Sequence, residues 1–164
     1  MIFVTLGSQK FQFDRLLKKI DELIDKGIVT DKVFAQIGAS TYIPHNYEYT
    51  RFLDREEFAR HIESASLVVT HGGTGVIIGA VKKGKKVIAV PRLSEYGEHV
   101  DDHQLQLLHQ FDDLGIICSC YDLERLDECF LEVAGKEYKP YVSNTEAIID
   151  SIEEFLDLSE KKRK

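Results

Sequence analysis

Three things are missing from this chain of 164 residues, and each absence removes a class of function. No apolar run approaches the eighteen residues that would suggest a membrane span. Positive charge is not in excess: 21 lysines and arginines face 28 aspartates and glutamates, a formal net charge of −7. Broad nucleic-acid binding needs a basic surface to displace counterions, so that class is set aside. Cysteine is scarce, and Cys118, Cys120 and Cys129 include no CxxC pair. Cys118 and Cys120, two apart on an expected strand, share a face without zinc spacing, so reduced thiols in a reducing compartment are expected. Met1 to Leu6 is too short for a signal peptide and lacks its positive flank. A cytoplasmic protein is expected, reaching a membrane surface only through another molecule. The one basic stretch closes the chain. Residues 159–164 read as a solvated basic tail beyond a single domain of residues 1–158, with weak contact to anionic lipid as the sharper alternative.

What is present is an alternation of short apolar runs and helical patterns. Ile2 to Leu6, Val33 to Ile37, Tyr49 to Leu53, Leu67 to Thr70, Val87 to Val90 and Ile116 to Cys118 read as six strands. Between them, Leu16, Leu17, Ile20, Leu23 and Ile24 recur at helical spacing, with Gly27 as a stop. Asp54 with Glu57 predicts a capping box, and Asp122 a cap for a helix carrying Leu123, Leu126 and Phe130. Ser143 with Glu146 predicts a last helix carrying Ile148, Ile152 and Phe155. Residues 40–46 are the one long internal loop. The expectation is an α/β domain with a single doubly wound, mostly parallel six-stranded Rossmann-like sheet.

In such sheets ligands bind at the carboxyl ends of the strands. Gly7-Ser8-Gln9, Phe52-Leu53 and His71-Gly72-Gly73-Thr74-Gly75 all stand at such ends, as does the loop after Val90. The glycine turn leaves backbone N–H groups unpaired at a helix N-terminus, where the helix dipole favours an anion such as a pyrophosphate. Gly75 and Gly79 lie inside the expected helix, where glycine costs about 1 kcal/mol against alanine. Ligand approach is the reason expected for Gly72, Gly73 and Gly75, and close packing the reason expected for Gly79. His99, Asp101, Asp102 and His103 suggest a metal, but no third or fourth ligand follows from the pattern, so no metal is expected. Sugar recognition by Asp102, His103 and Gln104, through directional donors and acceptors, is the reading preferred over simple capping.

The order of elements, with Val4 to Gln9, Phe52-Leu53-Asp54, Val69 to Gly75, Pro91-Arg92 and Asp102-His103-Gln104, resembles the C-terminal, donor-binding domain of family 28 glycosyltransferases. Phe13 to Leu16 and Tyr96 to His99 are similar to bacterial exopolysaccharide glycosyltransferase subunits of the PssE type. They are also similar to the cytosolic subunit of the dolichol-linked N-acetylglucosamine transferase. That resemblance implies half of a GT-B enzyme, with a UDP-sugar as substrate and no cofactor or metal. A membrane-anchored, acceptor-binding glycosyltransferase subunit would be its partner and supply the catalytic base, so neither His71 nor His103 is the first choice for that role. The acceptor implied is polyprenyl-linked, in exopolysaccharide or capsule synthesis. In the family pattern a Glu that binds ribose falls by simple register at Gly79. The resemblance therefore leaves ribose to Glu95 or Glu98, or marks a non-catalytic activator subunit. A dinucleotide-dependent oxidoreductase is disfavoured, because the second strand ends Gln36-Ile37-Gly38 without an acidic residue.

Overall fold

The computed structural model describes residues 1–143 and contains one six-stranded parallel sheet. The strands are β1 (Ile2–Thr5), β2 (Val33–Gln36), β3 (Glu48–Thr50), β4 (Leu67–Thr70), β5 (Lys86–Ala89) and β6 (Cys118–Ser119). Their order is β3-β2-β1-β4-β5-β6, and every neighbouring pair is parallel. The helices are α1 (Asp14–Asp25), α2 (Arg55–Ser64), α3 (Thr74–Lys82), α4 (His103–Leu114) and α5 (Leu126–Gly135). Side chains alternate across β1, sending Ile2 and Val4 into one core and Phe3 into the other. The first core meets Leu16, Leu17 and Ile20 of α1 and Leu126 and Val133 of α5. The second meets Ile62 of α2, Ile77 and Ala80 of α3, and Leu108 and Phe111 of α4. Both faces of the sheet are covered, as the apolar strands require.

Local signals account for many of the boundaries. Asp54 and Glu57 form the expected capping box on α2. After α1 the chain turns at Gly27, with φ of 70°. Asp122 caps a 3-10 turn, Leu123–Arg125, placed ahead of α5. β3 stops at Thr50 instead of Leu53, where the Arg51 guanidinium donates to the carbonyls of Gly38 and Ser40. β6 begins only at Cys118, after the buried Ile116 and Ile117. No helix separates β2 from β3. Residues 37–47 make that crossover as irregular chain, fastened to α1 by Asp14, which accepts from the Thr41 and Tyr42 amides, and by Asp21, which accepts from those of His45 and Asn46. The expected last helix beyond Ser143 and the basic tail lie outside the described residues.

Candidate functional site

The strand order reverses between β1 and β4, so their carboxyl ends flank a crevice of the kind that holds ligands in open α/β sheets. The expected loops after β1 and β4 meet there. The His71 imidazole lies between two glycines: a Cβ on Gly7 would stand 2.7 Å from His71 Cε1, and one on Gly73 would stand 2.7 Å from Nε2. Both positions exclude any side chain while His71 keeps this place, and Gly7 also has φ of 73°. His71 Nδ1 lies 3.3 Å from the Thr5 carbonyl, so it carries the proton and leaves Nε2 as an acceptor. Burial, helped by the charge of Arg92, pushes its pKa down to about 4. The ring is neutral at pH 7 and a weak base.

Helix α3 starts at this ring. Gly73 is its N-cap and no side chain caps it; the Val76 amide already meets the Gly73 carbonyl, which leaves those of Thr74 and Gly75 to meet an anion. Thr74 and Gly75 are exposed. Gly79 is exposed as well, and a Cβ there would meet nothing within 4 Å. Packing therefore does not explain Gly79, contrary to expectation. The glycines at 75 and 79 leave one face of α3 open.

The loops after β1 and β5 reach across the end of β4 and bind each other. Arg92 Nη2 donates to the carbonyls of Leu6 at 2.7 Å and Phe11 at 3.0 Å, holding both ends of the segment that carries Ser8 and Gln9. Gln12 Nε2 donates to the Tyr96 carbonyl, and the rings of Phe11 and His99 pack at 5.0 Å. Arg15 forms a two-pronged bridge to Glu98 at 2.7 and 2.8 Å and lies 4.0 Å over the Tyr96 ring. Glu98 is fully buried and also accepts from the Leu93 amide. It is committed to joining the loops and offers no surface to a ribose. Glu95 is exposed. It lines a separate cavity of about 500 Å³ with Lys18, Lys19 and Tyr121. The sequence suggested both carboxylates by proximity along the chain, which does not reveal direction.

Asp102 accepts from the Ser94 amide and stays exposed, as does His103. Gln104 is buried, and its Oε1 accepts from the Arg92 amide at 2.9 Å. Of the trio only Gln104 reaches Arg92, and it is half committed to the loop. His99 turns to Phe11 and Asp101 rather than toward His103. Among the described residues, no three His, Cys, Asp or Glu side chains gather as a metal site. Phe52, 53% exposed, stands beyond the end of β3 with Leu53 partly covered beside it. Two participants carried no distinct signal in the sequence. Gln36 Nε2 donates to the Gly7 carbonyl at 3.2 Å, and Arg92 was visible only as part of a motif.

Comparison with known proteins agrees with this architecture. Residues 1–161 match the model of the glycosyltransferase family 28 C-terminal domain. The human protein named UDP-N-acetylglucosamine transferase subunit ALG13 is 27% identical over 128 residues, which is 73% of this chain but only 11% of that protein. Among solved structures, the glycosyltransferase of kitacinnamycin superposes with a TM-score of 0.59 at 19% identity, over 82% of this chain and 35% of that one. Acinetobacter baumannii MurG superposes with a TM-score of 0.57 at 17% identity, over 82% of this chain and 41% of that one. At these identities the superpositions establish the fold, and this chain spans well under half of each relative.

Proposed function

The chain belongs to the glycosyltransferase family 28 C-terminal domain family, and from that premise we propose that it is the donor-binding half of a two-component glycosyltransferase. The observation that carries this reading is the convergence of Gly7, His71, Gly73 and the uncapped start of α3 at the β1/β4 crevice. The donor is a UDP-sugar. Its diphosphate lies on the first turn of α3, its base lies toward Phe52 and Leu53, and its sugar lies toward Asp102, His103 and Gln104. As the glycosidic bond to UDP breaks, negative charge grows on the leaving oxygen, and the fixed amides and helix dipole stabilise it without reorganisation. No divalent metal is needed for that step. The acceptor hydroxyl and the base that deprotonates it come from a membrane-anchored partner subunit that recruits this chain to the inner face of the membrane. A poorly basic His71 supports assigning the base elsewhere. The acceptor is polyprenyl-linked, in exopolysaccharide or capsule synthesis of the PssE type.

The test is calorimetry with UDP, with and without magnesium, on the chain and on its Gly73→Val variant. Magnesium-independent binding that disappears in the variant is the expected result. Failure of UDP to bind both the free chain and its co-expressed complex would sink the donor reading. The activator reading, favoured by the missing carboxylate at Gly79, would then take its place.

A further inference from the structure

Arg92 is 1% exposed, yet no carboxylate pairs with it among the described residues. Its neighbours at this edge are differently placed. Glu98 favours the charge of Arg92 from a distance, but both its oxygens are occupied, one by Arg15 Nε and the other by Arg15 Nη2 and the Leu93 amide. Arg92 Nη2 meets two carbonyls, which carry no net charge. Its Nε and Nη1 are buried and meet no acceptor among the described residues, and the guanidinium lies 5.8 Å from the centroid of the Phe13 ring. A guanidinium keeps five N–H donors and stays charged, so an uncompensated one inside a fold is costly unless something else answers the charge.

The place of that charge names the partner. Arg92 follows β5 and fastens the Gly7–Lys10 segment from below, close enough to His71 to depress its basicity. We infer that Arg92 is the buried cation of the anion site at the β1/β4 crevice, selecting a nucleoside diphosphate over an uncharged nucleoside while holding the β1 loop against it. This assignment rests on the donor-binding reading and deepens it. The charge acts through a poorly polarisable interior, where it is screened less than at a surface. Arg92 is thus a positioning and selecting residue, and the amides of α3 make the direct contacts.

The experiment measures affinity for UDP and for uridine in the wild type, Arg92→Gln and Arg92→Lys. The expected result is that Arg92→Gln lowers the preference for UDP over uridine by about tenfold or more, the scale of a lost charge-assisted interaction. Arg92→Lys, which keeps the charge and loses the fork, keeps most of the preference while binding both ligands more weakly. An unchanged preference in Arg92→Gln overturns the assignment and leaves the donor reading standing. A wild type that binds neither UDP nor other nucleoside diphosphates, alone or in its complex, defeats both. If Arg92→Gln does not fold, the wild type decides. The Arg92 Nε–H resonance, identified by its loss in Arg92→Lys, should shift with inorganic pyrophosphate and with UDP but not with uridine. A resonance that none of them moves means that the charge is served inside the protein, and the assignment falls.

Discussion

Two irregular connections hang from α1, and they are held in contrasting ways. Residues 37–47 are fastened by carboxylates whose acceptors are used. Asp21 receives the Tyr42 hydroxyl and the amides of His45 and Asn46, and Asp14 receives the Thr41 hydroxyl and the amides of Thr41 and Tyr42. Ser40 returns the favour by accepting from the Phe13 amide at the start of α1. The connection from β5 to α4, residues 90–102, is fastened through Arg15, Glu98 and Arg92, and there the accounting does not close. Among the described residues Arg92 keeps two buried donors without an acceptor, and Gln36, which binds the Gly7 carbonyl, keeps one buried acceptor without a donor. Buried polar groups in folded proteins are overwhelmingly satisfied. A closed network marks a staple, and the open one lies where the proposed anion would answer the charge of Arg92.

The comparison is broken most severely by removing one anchor from each connection. Asp21→Ala strands several donors, and Arg15→Ala leaves the Glu98 carboxylate buried without its counter-ion, so each should cost about 3 kcal/mol in denaturant unfolding. Only Arg15→Ala should also weaken UDP binding. Equal loss of UDP affinity in folded Asp21→Ala would erase the distinction between staple and site.

Acid should then separate His71, which feels the charge of Arg92, from the carboxylates that hold residues 37–47. His71 is held at about 4 against an ordinary value of 6.5, by burial first and then by the charge of Arg92. Between those values the unfolded chain binds the proton that the folded chain refuses. Stability therefore falls as pH drops from 6.5 toward 4, by about 3 kcal/mol in total from this group. Asp14 behaves otherwise. Burial opposes its ionisation, but the Thr41 hydroxyl and the amides of Tyr42 and Thr41 prevail and hold it below 3.8. Its contribution persists above 3.8 and is lost only as pH falls through its lower folded value. Unfolding curves for the wild type and His71→Asn should diverge between pH 4 and 6.5. A constant difference across that window would remove His71 as the cause.

The smallest effect sharpens the reading of α3. Because a Cβ at Gly79 meets open space, Gly79→Ala should stabilise the isolated chain by about 0.5–1 kcal/mol. A loss of stability would mean that the glycine serves the fold of this chain after all. A gain accompanied by weaker assembly with the partner would place Gly79 at the joint between the subunits.

The part of this molecule that was legible in advance is the part specified by neighbours in sequence. The Asp54 and Glu57 capping box, the Gly27 turn, the apolar face of α1 and the strand–turn–helix at Leu67 to Gly75 each depend on residues a few places apart. That Gly7 and the glycine turn would meet was legible because a parallel sheet brings its strand ends to one edge. Glu98 turned away from the expected ribose role because nearness along a loop does not reveal which way a side chain turns. Glu98 found Arg15, 83 residues away, and Gln104 was partly taken by the Arg92 amide.

The sequence by itself determined the alternation of strands and helices, both apolar faces and the glycine turn at the end of the fourth strand, because periodicity and capping act locally. Only the tertiary structure decided that His71 fits between Gly7 and Gly73, that Gly79 opens on space, and that Arg92 is buried with no ion pair among the described residues. Those outcomes follow from packing distant strands and loops against one another. Removing a group from water and giving it partners are consequences of the assembled fold, which residue spacing does not encode.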